Sequence, residues 1–260
     1  MTWQIKLARA RRHYTELETV LKMFLSTNPY KISTRRNDAG KLVYYLSDVA
    51  DAPAELSLIA GDVIQNLRSA LDHLTYDLWL KEANGQSGQT KIYFPIDKDQ
   101  ASYDSNKARR TRGISAQSLA IIDSLRPYSG GNDVLWRIHT LNNRDKHRLL
   151  VTVGSSFHSM DVGAHLTAIM REMPIPEQFE QFRGKLPTWS VFLKPADNLF
   201  PLAAGAELFT GREEDEEDPN MGFRFDIVLH EPDVVDGEPV TDVLSAMITE
   251  VARIGPLFNV

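Results

Sequence analysis

The chain has 260 residues, a formal net charge of −6 and no cysteine, so it can bury a sizeable core but carries no disulfide, thiolate metal ligand or cysteine nucleophile. Its apolar runs fall short of the roughly 18 to 20 residues that cross a bilayer, and its polar N-terminus does not resemble a signal peptide. We therefore expect a cytoplasmic protein that does not enter a membrane.

The first 81 residues predict two long helices separated by a β-hairpin. Apolar side chains spaced four and three residues apart over 3–24 form one face of an amphipathic helix, and Pro29 disfavours its continuation. The β-rich arms at 30–48 flank an Asn-Asp-Ala-Gly turn, which is typical of a hairpin. A second apolar seam at helical spacing predicts a helix over about 53–81.

The middle of the chain predicts two shorter helices and irregular segments. "KIYFPI" at 91–96 is interpreted as a short strand, and the polar, basic stretch at 97–113 as a mobile loop. Ser115 is a suitable N-cap for a third helix, which ends before Pro127. A fourth helix includes "WRIHTLNNRDKHR" at 136–148.

The remainder of the chain is predicted to be rich in strands and to close with a helix. Strand-like patterns occur at 148–157, 188–195, 206–212 and 222–231. The inward-facing side chains of the closing helix are Leu244, Met247, Ile248 and Val251. We therefore predict an α+β fold, in which a helical bundle with a hairpin insertion (1–150) is followed by a strand-rich segment with a C-terminal helix (151–260) that packs on it.

The stretch "NLRSALDHLTYDLW", at 66–79, combines a helical leucine seam with charged groups. Arg68 and Asp72 are four residues apart, which is the spacing of a helical ion pair. Arg68 and His73 are five apart, so an ideal helix separates them by about 140° around its axis and by about 7.5 Å along it. They are therefore either ordinary helix residues, or two halves of a site that a bend or a second copy of the chain completes.

Within this stretch, "RSALDH" resembles the signature of the HEPN superfamily, an arginine followed after four to six residues by a histidine near the end of a helix. The resemblance covers at most residues 1–150 and implies a small helical domain that forms homodimers. Many members of that superfamily are metal-independent ribonucleases of toxin or defence systems. The resemblance thus implies that Arg68 and His73 are catalytic, that the substrate is single-stranded RNA, and that an antitoxin or another partner protein can bind the chain.

The implied reaction uses a histidine and an arginine in distinct roles. A histidine, whose ordinary pKa is about 6.5, can exchange a proton with the ribose 2′-hydroxyl at neutral pH. An arginine can stabilise the charge that grows on the phosphoryl oxygens. We expect neither a metal nor a cofactor. The alternative is a non-catalytic dimeric module that binds RNA, a nucleotide or a protein.

The fourth predicted helix carries the densest group of polar residues. His139, Asn143 and His147 form one row on it, but its two histidines are about 12 Å apart along the axis, too far to share a metal ion. The cations of this helix either bind phosphate or interact favourably with the negative end of the helix dipole at its C-terminus. If this helix packs on the second one, the polar groups of both line one cleft. The candidate substrate-binding residues are Asn66, Asp72, Asn143, Arg144, Asp145, Lys146, His147 and Arg148.

Charge is divided unevenly along the chain. Residues 1–150 hold 22 lysines and arginines against 16 acidic residues, whereas residues 151–260 hold 7 against 19. The first part could attract a polyanion such as RNA, or the two parts could attract each other. The acidic run at 213–218 is either a solvated loop or a phosphate mimic that shields the basic part.

Overall fold

The structure is a computed structural model that describes residues 2–82, 91–147, 153–161, 192–193, 202–218 and 221–258. It is mixed α and β. Its helices in chain order are α1 (Thr2–Ser26), α2 (Ala54–Glu82), α3 (Gln100–Arg110), α4 (Ala116–Ser124), α5 (Asp133–His147) and α6 (Val240–Ile254), which leads into a 3-10 turn (Gly255–Leu257). Its strands are β1 (Tyr30–Arg36), β2 (Leu42–Val49), β3 (Val153–Asp161), β4 (Phe192–Leu193), β5 (Glu207–Thr210), β6 (Gly222–Glu231) and β7 (Val235–Pro239).

The chain forms two compact units, and each of them contains residues from both sides of the predicted boundary at residue 150. The helical unit comprises Met1–Phe24, Pro53–Val153 and Leu229–Val260, and the β unit comprises Leu25–Ala52 and Gly154–Val228. The hairpin belongs to the β unit because β2 pairs with β5 in an antiparallel ladder. The closing helix belongs to the helical unit because α6 packs on α2 and α5.

At the centre of the helical unit lies α2, which contacts both α5 and α6. Its apolar residues are buried over most of its circumference, as expected for a helix that is covered on several sides. In α6 the four predicted inward-facing side chains, Leu244 to Val251, are all buried, which confirms that prediction. Ser115 caps α4, again as predicted, by accepting a hydrogen bond from the Ser118 backbone N–H at 3.2 Å.

The predicted seam of α1 is confirmed at most positions. Trp3, Leu7, Ala10, Leu17 and Phe24 are buried. The remaining buried position is His13, next to the predicted Tyr14, and the His13 ring lies 3.0 Å from a carboxylate oxygen of Glu16. A buried histidine is therefore accommodated on this face because a neighbour on the next turn supplies a polar partner.

The β unit contains two sheets, with strand orders β1-β2-β5 and β4-β3-β6-β7; the last residues of β6, and β7, belong to the helical unit. The side chains of Leu46, Phe157, Leu202 and Leu208 form a hydrophobic cluster in the β unit. In the predicted hairpin turn, the Asn37 side chain accepts hydrogen bonds from two backbone N–H groups. These contacts explain why the turn forms at this polar sequence.

The acidic run is attached to the hairpin through its backbone. The Arg36 guanidinium donates hydrogen bonds to the carbonyl oxygens of Glu213 and Asp215, at 2.6 and 2.9 Å. The carboxylates of Glu213 and Glu214 belong to exposed residues. The run therefore has a backbone held by Arg36 and several solvated side chains, whereas the side chain of Asp215 is largely buried and accepts hydrogen bonds from Arg212.

Two sequence predictions for the segment between α2 and α4 are wrong. Residues 91–96 form no strand with any residue that the structure describes. Their backbone groups bind side chains at Phe94 and Ile96 and the end of α3, where the Tyr93 N–H donates to the carbonyl oxygen of Arg110. The stretch at 97–113, predicted to be a mobile loop, contains α3. The Asp99 side chain caps α3, and the Tyr103 hydroxyl donates to Asp123 at 2.7 Å, so polar anchors replace the apolar seam that the sequence lacks.

The predicted strands of the second part are found in part. β5 and β6 lie within the predicted ranges, and β3 (Val153–Asp161) overlaps the range 148–157, of which 148–152 lie outside the described residues. Of the range 188–195, only β4 is described. β7 was not predicted. Among the described residues, no helix has the length and apolar character needed to span a membrane.

Replacement of Gly255 by alanine is expected to destabilise the helical unit. A Cβ at this position would overlap the indole ring of Trp3, while the backbone φ of −52° suits any residue. Overpacking of this kind costs about 1–3 kcal/mol of the free energy of unfolding, which urea denaturation would measure. In a Trp3→Leu background the additional loss from Gly255→Ala should shrink. Equal losses of unfolding free energy in both backgrounds would contradict the close contact between residue 255 and the Trp3 ring.

Candidate functional site

Arg68 is bound to the interior of the helical unit. Only 6% of the residue is exposed. Its Nη2 donates hydrogen bonds to Asp72 Oδ1 and to the carbonyl oxygen of Phe94, both at 2.8 Å. The same carboxylate oxygen accepts the backbone N–H of Phe94 at 3.0 Å. Arg68 and Asp72 therefore fasten α2 to the segment that precedes α3.

Burial makes this ion pair costly. It lowers the pKa of Arg68 and raises the pKa of Asp72, and in each case the attraction of the opposite charge only partly offsets it. A buried pair of this kind contributes little net stability, but removal of one partner leaves an uncompensated charge. Arg68 thus has a structural role in fixing the fold.

His73 has different surroundings from Arg68. The residue is partly exposed, and it makes no hydrogen bond or ion pair with any residue that the structure describes. Arg68 is directed into the protein interior by its contact with Phe94. The Arg68 guanidinium thus forms hydrogen bonds inside the protein, whereas the His73 imidazole forms none with the described residues.

A second buried arginine, from α3, binds the same segment. Arg110 Nη1 donates to the carbonyl oxygen of Ile96 at 2.9 Å and to Asp97 Oδ2 at 2.6 Å. The other carboxylate oxygen of Asp97 accepts a hydrogen bond from the Asn106 amide at 3.1 Å. This pair could not be predicted from the sequence, because Asp97 and Arg110 are thirteen residues apart and not at a helical spacing.

His139 connects these groups to α5. Its Nε2 lies 3.1 Å from Asn143 Nδ2, so the amide donates and the proton of the neutral ring is on Nδ1. Burial, together with the positive charges of Arg68, Arg110 and Lys146, lowers the pKa of His139 to about 3. The imidazole is therefore uncharged at neutral pH.

The close approach of α5 to α2 depends on a glycine. A Cβ at Gly61 would lie 3.0 Å from Asp145 Oδ1, so the carboxylate occupies the space that a larger residue on α2 would fill. Burial and the charge of Asp62 raise the pKa of Asp145. The Lys146 ammonium counteracts part of this shift and also lowers the pKa of Asp72.

Several predicted binding residues have structural partners instead. Arg144 Nη1 donates to Glu231 Oε2 at 3.1 Å and to the carbonyl oxygen of Pro232 at 2.8 Å. The Asn66 amide donates to the carbonyl oxygen of Asp62, one turn earlier in α2. The His147 side chain and Arg148 lie outside the described residues.

The structure thus brings together some of the predicted residues and leaves others apart. Arg68, Asp72 and Lys146 are electrostatic neighbours across α2 and α5. His73 interacts electrostatically with Asp72, which adjoins it in sequence, but it makes no hydrogen bond or ion pair within the described part of the chain.

A cavity of about 500 Å³ lies beside α5. We call it the α5 pocket; it is lined by Asp97, Lys98, Trp136, His139, Thr140, Asn143 and Arg144. The α5 residues recur at three- and four-residue intervals, so helical spacing could have identified this face. Asp97 and Lys98 could not be found in this way, because they belong to the segment before α3. The pocket combines an aromatic ring, amide and hydroxyl groups, cations and one carboxylate.

Comparisons with protein-family models, with curated proteins and with solved structures found no match. Among the residues that the structure describes, no group of three or more histidines or carboxylates is arranged to hold a metal ion. The function therefore has to be inferred from the pocket and from the groups that surround it.

The pKa of His139 predicts how stability depends on pH. The unfolded chain takes up a proton near pH 6.5, whereas folded His139 stays neutral down to about pH 3. Its contribution to stability is therefore lost as the pH falls from 6.5 towards 3, by at most about 1.4 kcal/mol per pH unit. Urea denaturation between pH 7 and pH 4 should give a shallower pH dependence for His139→Gln than for the wild type.

The matched control for this measurement is Asn143→Ala. It removes the hydrogen-bond partner of His139 but leaves the ring in place. Because burial is the largest cause of the pKa shift, this variant should keep most of the wild-type slope. Identical slopes for the wild type and His139→Gln would show that the ring titrates normally in the folded protein.

Proposed function

We propose that the protein is a non-catalytic module that binds a nucleotide, free or within single-stranded RNA, in the α5 pocket. The observation that carries this proposal is the presence of an indole, Trp136, beside the polar and cationic groups of Lys98, Asn143 and Arg144 in one cavity. Its volume, about 500 Å³, is within the range of roughly 300–1,000 Å³ that is typical of small-ligand sites.

Each part of a nucleotide has a suitable partner in the α5 pocket. A base can stack on the Trp136 ring, a contact that contributes roughly 1–3 kcal/mol per base. The side-chain ammonium of Lys98 is 81% exposed and can bind phosphate. The hydroxyl of Thr140 and the amide of Asn143 can form hydrogen bonds with ribose, whose 2′-hydroxyl distinguishes RNA from DNA.

The contacts of Arg68 support a binding role over catalysis. A catalytic arginine must reach the phosphate, but Arg68 Nη2 is used by Asp72 and by the Phe94 carbonyl. Release of the guanidinium would break its hydrogen bonds to Asp72 and to the Phe94 carbonyl, and the latter joins α2 to the segment before α3.

The HEPN-like arrangement and the homodimer are part of the same proposal. Packing of α5 and α6 on α2 is compatible with a small helical bundle. On α2, Leu58, Tyr76 and Leu80 are exposed although they are large and apolar. They are spaced so that a second copy of the chain could cover them together with His73, which lies between them in sequence.

A metal-independent ribonuclease is the second candidate, and the surroundings of His73 favour it. The imidazole is partly exposed and makes no hydrogen bond within the described part of the chain, so it could exchange a proton with a bound substrate. In this version a toxin or defence role, with an antitoxin as partner, would follow from the HEPN resemblance.

Replacement of Trp136 by leucine is expected to weaken nucleotide binding about tenfold or more, because it removes the stacking surface. Fluorescence anisotropy with a labelled adenosine monophosphate and with a labelled single-stranded RNA would measure the dissociation constants. Tyr76→Leu is the matched control, since it removes an exposed aromatic ring from α2, outside the pocket. The proposal that a nucleotide binds in the α5 pocket would be refuted if the wild-type protein bound neither probe, or if all three proteins bound the probes with equal affinity.

Single-stranded RNA is expected to stay intact when it is incubated with the purified protein in EDTA. Denaturing gels of the wild type and of His73→Ala would test this, with a known metal-independent ribonuclease as the positive control. Substitution of a partly exposed residue without hydrogen bonds should change stability by no more than about 0.5 kcal/mol. Cleavage by the wild type that His73→Ala abolishes would establish the ribonuclease instead.

A further inference from the structure

Several buried N–H groups of the helical unit lack a hydrogen-bond acceptor among the described residues, and three of them belong to residues that interact with one another. These three are Nη1 of Arg68, Nε of Arg110 and Nδ1 of His139, and they come from α2, α3 and α5. Buried donors of this kind are rare, because each costs about 1–3 kcal/mol when it is left unpaired. An acceptor that is not part of the protein would remove this cost.

The three donors are close neighbours. Arg68 and Arg110 donate to the carbonyl oxygens of Phe94 and Ile96, whose carbonyl carbons are two residues apart and therefore at most about 7 Å apart. The His139 ring interacts electrostatically with both guanidinium groups. His139 also lines the α5 pocket together with Asp97, the carboxylate partner of Arg110, so one small group can lie within reach of all three donors.

The charges around the donors favour an anion over water. Asp72 neutralises Arg68, and Asp97 neutralises Arg110. Lys146 adds a positive charge that acts on both Asp72 and His139 and that Asp145 offsets in part. The carboxylate oxygens that face these arginines already accept hydrogen bonds from them. A water molecule would need acceptors for its own hydrogens, whereas an anion needs donors alone.

We propose that Arg68, Arg110 and His139 together bind one small anion inside the helical unit, either a halide ion or a single oxygen of an oxyanion. Such an anion would stabilise the contacts of α2, α3 and α5 with the segment at 92–97. The site goes beyond the proposed nucleotide binding, because two of its three residues, Arg68 and Arg110, do not line the α5 pocket.

Titration of the wild-type protein with potassium chloride, without nucleotide and at constant ionic strength kept by the bulkier gluconate, tests the proposal. The midpoint of thermal unfolding should rise and then saturate, and the chloride NMR line should broaden in proportion to the occupied sites. Inorganic phosphate is the second probe. If it narrows the chloride line by competition, the site accepts an oxyanion oxygen; if it does not, the site is specific for halide.

Two variants and one matched control locate the site. His139→Leu and Arg110→Lys each remove one of the three donors, and Arg110→Lys keeps the positive charge. Each should weaken chloride binding about tenfold or more. Arg137→Lys is the control, because Arg137 also has a buried Nε without an acceptor among the described residues and a carboxylate partner, Glu238. It should bind chloride as the wild type does.

A wild-type protein that shows no saturable response to chloride or to phosphate would overturn the proposal, even if a variant fails to fold. An equal loss of affinity in Arg137→Lys would also overturn it, since the effect would then be unspecific. Because no nucleotide is present, failure of this site is separate from failure of the α5 pocket.

Discussion

The helical unit depends on the buried guanidinium of Arg68. This group joins α2 to the segment at 92–97, whose backbone is held partly by side chains and partly by backbone hydrogen bonds to the carbonyl oxygens of Arg110 and Pro127. Arg68 binds the Phe94 carbonyl, Asp72 binds the Phe94 N–H, and Arg110 binds the Ile96 carbonyl. Because Arg68 is almost fully buried and burial opposes its charge, loss of Asp72 would leave an uncompensated buried charge, which costs about 3–5 kcal/mol.

This constraint also determines where a ligand can bind. An arginine that holds the interior together cannot move to a phosphate without disturbing the fold, so a phosphate in the α5 pocket would have to be bound by other groups, those of α5 and Lys98. His139 lies at the junction, since its ring lines the α5 pocket and also interacts with Arg68 and Arg110. Those same positive charges keep the imidazole neutral. It can therefore exchange hydrogen bonds with a ligand but does not add charge.

The local periodicity of apolar residues predicted the helices that have apolar seams. It could not predict contacts between residues that are distant in sequence. The seams of α1, α2 and α6 and the cap of α4 were predicted from the sequence. α3 was missed because Asp99 and Tyr103 anchor it through polar contacts. Arg68 and Asp72 were a visible helical pair. Their burial was not visible, because it depends on Phe94, a residue more than twenty positions further along the chain.

The same long-range contacts place a carboxylate and an ammonium group at different positions around the α5 pocket. Asp97 is held by Arg110 and Asn106, so its carboxylate stays in the wall, where it can accept hydrogen bonds but has none to donate to a phosphate. Lys98, one residue further, extends its ammonium into solvent. In the proposed binding role, the phosphate of a nucleotide would therefore lie towards Lys98, and hydrogen-bond donors on the base would lie towards Asp97. A base edge with two adjacent donors can form more hydrogen bonds with a carboxylate than an edge with one. In that binding role Asp97, which Arg110 and Asn106 hold in place, would therefore also favour some bases over others.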